Sequence, residues 1–239
     1  MLTSCDDVRC GRLRLLQPLN GPRVNMDTII LSSWVKFRAG HTKFLEAGCA
    51  TGAISLILAE KFTHIYVTGL EIQPELADLA KLNAENNHLS DRVSFIAGDL
   101  RDKNLLLRES FDVLVVNPPY ESEARGRTSP DISRSTARHE LTCTPDDVAE
   151  LASRVLKCRG RMFSIFTTGR LDVFMNALAA HKMTPKRIRF VYPDSNHDSG
   201  VFLLESVKGG GQGVSVLPPL VVRGADGEYT PEVLRAYEI

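Results

Sequence analysis

From residue 43 onward, short apolar runs alternate with stretches whose apolar residues recur at helical spacing. Short runs rich in Val, Ile, Leu and Phe predict buried strands, and their alternation with helices predicts an α/β fold with a parallel sheet covered on both faces. Five strands, KFLEAG, IYVTGLE, RVSFIAGD, FDVLVVN and RMFSIFTT, are expected to run parallel. Two more, KRIRFVYP and GVFLLESV, are joined by the turn-rich PDSNHDS and predict an antiparallel pair closing the sheet edge. Helices are expected over TGAISLILAEKF, QPELADLAKLNAENNHL, a short RDKNLLLRES, TPDDVAELASRVLKCRG and LDVFMNALAAHK. In the fourth of these, Thr144 and Pro145 form a cap and first-turn pair.

Three segments fall outside that rhythm. Residues 1–40 form a leader with a helix from about Asp27 to Phe37. Residues 121–143 form a long aperiodic connection, and loops of that length in compact domains are functional or disordered. The glycine-rich KGGGQG predicts a flexible stretch before VLPPLVVRGADGEYTPEVLRAY, which folds back on the domain. The expected organisation is a leader at 1–40, a main domain at 41–207 and a packed tail at 208–239.

Composition narrows the partners. A chain of 239 residues with 43% hydrophobic and 24% charged residues can bury one sizeable core, and no run is long enough to span a bilayer. The first residues lack a secretory apolar core, so a cytoplasmic location is expected. Lys plus Arg equals Asp plus Glu at 29 each, so a nucleic-acid partner has to be held by a local basic patch. The five cysteines make no C-x-x-C pair and have no regular His spacing, so neither a metal site nor a disulfide framework is suggested.

The candidate chemistry lies at strand ends. FLEAGCATGAISL places Glu46 at the end of the first strand, with Gly48 and Gly52 opening a helix whose N-terminus offers free N–H groups. The spacing is not G-x-G-x-x-G, which disfavours a dehydrogenase. Glu71 ends the second strand, where a carboxylate can accept from both hydroxyls of a ribose; Asp99 ends the third, where it can accept from an adenine amine. Each acid has a plainer reading as a helix cap. Asn117, Pro118, Pro119 and Tyr120 follow the fourth strand, so these groups ring one crevice outside the strand ends.

E-x-G-x-A-x-G, the ribose acid, GD and NPPY together resemble the class I S-adenosylmethionine-dependent methyltransferases that modify exocyclic or amide nitrogen. More closely, GPRVNMDTIILSSW, ARHE, PKRIRFVYP and PPLVV…DGEYTPEV resemble the bacterial valine-tRNA adenine N6-methyltransferase family, across nearly the whole chain. The resemblance implies a Rossmann-like seven-stranded sheet, mostly parallel with an antiparallel edge strand. Its implied cofactor is S-adenosylmethionine, held by Arg23, Asp27, Glu46, Ala47, Gly48, Gly52, Glu71, Ile72, Asp99, Leu100 and Asn117. Its implied catalytic set is Asn117, Pro118, Pro119 and Tyr120. The substrate, a tRNA anticodon stem-loop, would meet Tyr120, Arg125, Arg127, Arg134, Arg138 and His139. No metal and no membrane are involved, and a monomer is expected. Ala50 stands where the family often has glycine, which suits a position that needs no positive φ, and Glu46 replaces the more usual Asp.

An adenine amine is a poor nucleophile because its lone pair is delocalised into the ring. The Asn117 side-chain oxygen and the Pro118 carbonyl can accept its two hydrogens, held still by the prolines, while the Tyr120 ring stacks on the base. The arginines of the long loop suit phosphate, with Arg9, Arg12 and Arg14 as partners across the cleft. Competing readings are a glutamine-amide methyltransferase acting on a protein such as a release factor, an adenine methyltransferase for another RNA or DNA, and a cofactor-binding module without catalysis.

Overall fold

A computed structural model describes residues 1–118 and 143–238. It opens with a hairpin, β1 (Thr3–Val8) and β2 (Leu13–Pro18), followed by helix α1 (Met26–Trp34). The alternating region then runs β3 (Lys43–Ala47), α2 (Ala53–Lys61), β4 (Tyr66–Glu71), α3 (Pro74–Asn86), β5 (Val93–Ala97) and β6 (Phe111–Val116). Beyond the long connection come α4 (Pro145–Val155), β7 (Leu156–Thr167), α5 (Leu171–Ala180), β8 (Met183–Tyr192) and β9 (Val201–Lys208). Two short strands, β10 (Ser215–Val216) and β11 (Leu220–Val221), precede α6 (Pro231–Glu238).

All seven strands expected from the apolar runs are present, and they form one sheet in the order β8-β9-β7-β6-β3-β4-β5. The expected antiparallel pair closes one side, but β9 is inserted between β7 and β8, antiparallel to both, and so stands one place in from the flank. The tail strands β10 and β11 each add to β8 in parallel, which brings the sheet to nine strands. Strand alternation divides the core: Leu203 of β9 points into a layer with Ile29, Ile57 and Val233, while Phe202 and Leu204 point into one with Leu151 and Phe174. Burying each such side chain contributes roughly 1.5–3 kcal/mol.

Local chemistry sets the helix starts. Asn25 caps α1 and Thr144 caps α4, each in a reciprocal capping box with Thr28 and Asp147. The short helix expected over RDKNLLLRES is replaced by turns: Asp102 accepts from the Asn104 N–H at 2.9 Å, a local bond that competes with helix. The leader carries a hairpin that the apolar pattern does not announce, because β1 (TSCDDV) has almost no apolar residues and is defined only by pairing with β2. The glycine-rich stretch after β9 is pinned rather than loose, since Thr184 Oγ1 donates to Gly210 O and Lys186 Nζ to Gly211 O, both at 2.8 Å.

Candidate functional site

Register brings the predicted residues to one edge. Ala47, buried at the end of β3, pairs with Leu70 of β4 and Val116 of β6, and Glu71 pairs with Ala97 of β5. The turn after β3, Glu71, Asp99 and Asn117 therefore leave the sheet at the same level, at the carboxyl ends of adjacent parallel strands.

The turn after β3 is fixed by backbone bonds. Gly48 N and Cys49 N both donate to Leu70 O, at 2.8 and 3.0 Å, and Gly52 N donates to Cys49 O at 2.7 Å. Gly48, Ala50 and Gly52 all lie in the left-handed region, with φ of 71°, 47° and 81°. Ala50 thus departs from expectation: the position does require positive φ, and the chain accepts an alanine there. A side chain at Gly52 is excluded, because its Cβ would lie 2.6 Å from Phe95 Cζ. At Gly48, by contrast, a Cβ would meet no atom within 4 Å, so the backbone there borders open space that a ligand can approach.

Two buried carboxylates bracket this turn. Glu71 accepts the Ala50 N–H at 2.8 Å with one oxygen and the Gln73 N–H at 3.0 Å with the other. It thus ties the turn to Gln73, the residue at the entry of α3, but it does not cap that helix, whose first turn has no side-chain cap. Each of its oxygens retains a second lone pair. Glu46 is 3% exposed and accepts the Ser55 N–H at 2.7 Å and the Ser55 hydroxyl. Burial raises its carboxyl to about 8, against the pull of the Ser55 hydrogen bonds and with a further push from Glu71. The contacts of Glu46 therefore hold the first turn of α2 against β3.

Asp99 is gripped by Arg101, whose backbone N–H donates at 2.8 Å and whose Nε donates at 3.0 and 2.9 Å. That side-chain bond is the main reason the Asp99 carboxyl lies below its ordinary range. Leu100 O accepts from Arg154 Nη2 at 2.8 Å, and Ile72 is half-buried just beyond Glu71. Asn117 is half-buried at the end of β6 and Pro118 is buried. Pro119, Tyr120, Arg125, Arg127, Arg134, Arg138 and His139 lie outside the described residues.

The leader contributes unevenly. Asp27, in the first turn of α1, is half-buried, accepts no hydrogen bond among the described residues and is pushed up by burial. Arg23 donates to Ser4 Oγ at 2.9 Å and Pro18 O at 3.0 Å and pairs with Asp6, so it closes the open end of the hairpin. Of the three arginines expected across the cleft, Arg9 is buried against Glu60 of α2 and is lost to any phosphate; Arg12 and Arg14 have exposed side chains. Sequence reasoning passed over Asn83. Fully buried in α3, it exchanges hydrogen bonds with Leu16 of the hairpin, accepting at 2.8 Å and donating at 3.0 Å, and also donates to Thr51 O at 3.0 Å. A polar residue on the apolar face of α3 is the signal that marks it. Among the described residues, no group of three or more His, Cys, Asp and Glu could hold a metal ion, and no helix is long and apolar enough to cross a membrane.

A parallel sheet with one inserted antiparallel strand, a glycine turn after its first strand and acids at the next two strand ends define a class I methyltransferase. Residues 39–187 match the family described as methyltransferase domain, and the chain belongs to it. It belongs as well with the tRNA1(Val) (adenine(37)-N6)-methyltransferases: it is 30% identical over 225 residues to that of Porphyromonas gingivalis, covering 90% of this chain and 87% of the relative. The Bacteroides thetaiotaomicron relative of the same name is 27% identical over 73% of this chain and 78% of its own length. Among solved structures, a predicted O-methyltransferase from Agrobacterium tumefaciens superimposes with a TM-score of 0.71 at 20% identity, covering 88% of this chain and 95% of that one, a likeness of fold.

Proposed function

We propose that this protein methylates the N6 amine of an adenine in tRNA, adenine 37 of valine tRNA, presented on the anticodon stem-loop. The observation that carries this reading is the 30% identity, across 90% of the chain, to a relative named for that reaction. S-adenosylmethionine is the donor and supplies an electrophilic sulfonium methyl.

The chain's own residues fit that donor. Open space at Gly48 admits a ligand to the backbone, and the remaining lone pairs of Glu71 suit ribose hydroxyls. Asp27, without a hydrogen-bond donor among the described residues, suits a cationic or N–H group at the entrance. For Asp99 to receive an adenine amine, the Arg101 side chain has to swing aside or share the carboxylate. Asn117 and Pro118 follow the strand next to this turn, where their oxygens can accept the two hydrogens of the substrate amine and favour the pyramidal nitrogen of the transition state. Asn is not a useful base, so the proton leaves late, to solvent. Tyr120 stacks on the base, and the arginines at 125, 127, 134 and 138, with His139, take the RNA. The reaction needs no metal, the enzyme acts as a monomer, and its substrate places it in the cytoplasm.

The test is transfer from labelled S-adenosylmethionine to undermodified tRNA and, separately, to a release factor. Label is expected in N6-methyladenosine of the valine tRNA anticodon loop. Label confined to protein would overturn the reading in favour of a glutamine-amide methyltransferase, whose planar amide Asn117 and Pro118 would hold equally well.

A further inference from the structure

The leader hairpin is held by side chains where a sheet would use a strand. Asn87, at the C-terminal cap of α3, accepts the Arg14 N–H at 2.9 Å and donates to Arg14 O at 2.8 Å. Asn83, one helical turn earlier, does the same for Leu16, accepting at 2.8 Å and donating at 3.0 Å. Alternate residues of β2 turn their N–H and C=O away from β1, and each carboxamide stands there in place of a neighbouring strand's peptide group. The spacings match, since four residues of helix rise about 6 Å and two residues of strand about 6.7 Å.

Asn83 reaches further than Asn87. Its Nδ2 also donates to Thr51 O at 3.0 Å, in the turn after β3. The peptide group between Thr51 and Gly52 is thereby held at both poles, because its N–H donates to Cys49 O at 2.7 Å. Thr51 stands between Ala50 and Gly52, both at positive φ, where no regular ladder orients the backbone. The turn is also seated on α3, since a Cβ on Gly52 would lie 3.2 Å from that of Ala80, one helical turn before Asn83. Asn83 and Thr51 are both buried, so removing the amide leaves the Thr51 carbonyl without a partner and out of reach of solvent.

The docked strand also carries the next part of the leader. Gln17, buried beside Leu16, accepts the Val24 N–H at 2.6 Å, and Val24 leads directly into the Asn25 cap and Asp27 of α1. Leu13 and Leu15 of the same strand are buried in the core layer that holds Ile29 and Ile57. The position of β2 on α3 therefore bears on Asp27 as well as on the turn.

We infer that Asn83 is a positioning residue for S-adenosylmethionine: its amide fixes the Thr51–Gly52 peptide of the turn that receives the cofactor and, by docking β2 at the same time, makes cofactor binding and docking of the leader hairpin mutually dependent. This rests on the placement of the cofactor at the turn after β3, proposed above. A ligand that needs the turn ordered favours the docked hairpin, and the docked hairpin favours the ligand by the same factor.

The experiment compares wild type with Asn83→Ala and Asn87→Ala, by calorimetry with S-adenosylmethionine and by melting temperature. Both variants remove an amide that holds the hairpin, so both should melt below wild type. Only Asn83→Ala also frees the Thr51 carbonyl, and only it should weaken the cofactor, by about tenfold. Hydrogen exchange of the wild-type protein checks the coupling without any variant: saturating cofactor should slow the Arg14 and Leu16 amides by the same factor of about ten. Unchanged affinity in Asn83→Ala, an equal loss in both variants, or hairpin amides that the cofactor leaves unaffected would overturn the inference. If Glu71→Ala binds the cofactor normally, the placement at this turn has failed. Exchange of the Gly52 amide in the cofactor-free protein then decides the role of Asn83 alone: it should be about tenfold faster in Asn83→Ala and unchanged in Asn87→Ala, and equal rates in Asn83→Ala and wild type overturn it.

Discussion

The Glu71 carboxylate accepts the backbone N–H of Ala50 at 2.8 Å, and Ala50 has φ of 47°. The acid at the end of one strand thereby holds the turn at the end of its neighbour in a conformation alanine does not favour. A charge-assisted bond of about 1.5–3 kcal/mol exceeds the roughly 1–2 kcal/mol cost of a left-handed non-glycine residue, so the bond wins.

Ala50→Gly should relieve that strain at some cost in unfolded-chain entropy, leaving a net stabilisation of about 0.5 kcal/mol. Urea denaturation measures it. A variant less stable than wild type would show that the turn is not strained at Ala50.

Glu71→Ala removes the partner of two backbone N–H groups and the proposed acceptor of the ribose hydroxyls. Both melting temperature and S-adenosylmethionine affinity should fall, the latter by at least about tenfold in calorimetry. Normal affinity with lowered stability would leave Glu71 only its structural role.

Burial holds the Glu46 carboxyl at about 8 in the fold, against 4.5 for the ordinary side chain. Between those values the native state binds the extra proton, so Glu46 lowers stability progressively as pH rises from about 4.5 to 8. Glu46→Gln should remove that slope. The variant should match wild type near pH 5 and exceed it at pH 8 by up to a few kcal/mol in urea titrations. Parallel pH profiles would contradict the shift.

Asn117→Ala takes away one preorganised acceptor for the substrate amine. Turnover should fall about a hundredfold or more while S-adenosylmethionine affinity changes little. Lost cofactor binding with normal turnover at saturation would reassign Asn117 to the cofactor.

The sequence by itself determined the seven strands, four of the five helices expected between them and the edge where the chemistry gathers. Apolar periodicity is a local property, and in a parallel sheet every strand delivers its last residue to the same side, so Glu71, Asp99 and Asn117 were legible together. Tertiary structure alone decided the rest, because it depends on partners remote in sequence. The polar strand β1 exists only through pairing with β2, and β9 slots between β7 and β8 by a register that no local pattern states. Ala50 takes positive φ because Glu71, 21 positions later, accepts its N–H. Arg9 reads like Arg12 in sequence, but it lies buried against Glu60 while Arg12 stays in solvent, since what a guanidinium can bind is fixed by what the fold packs around it.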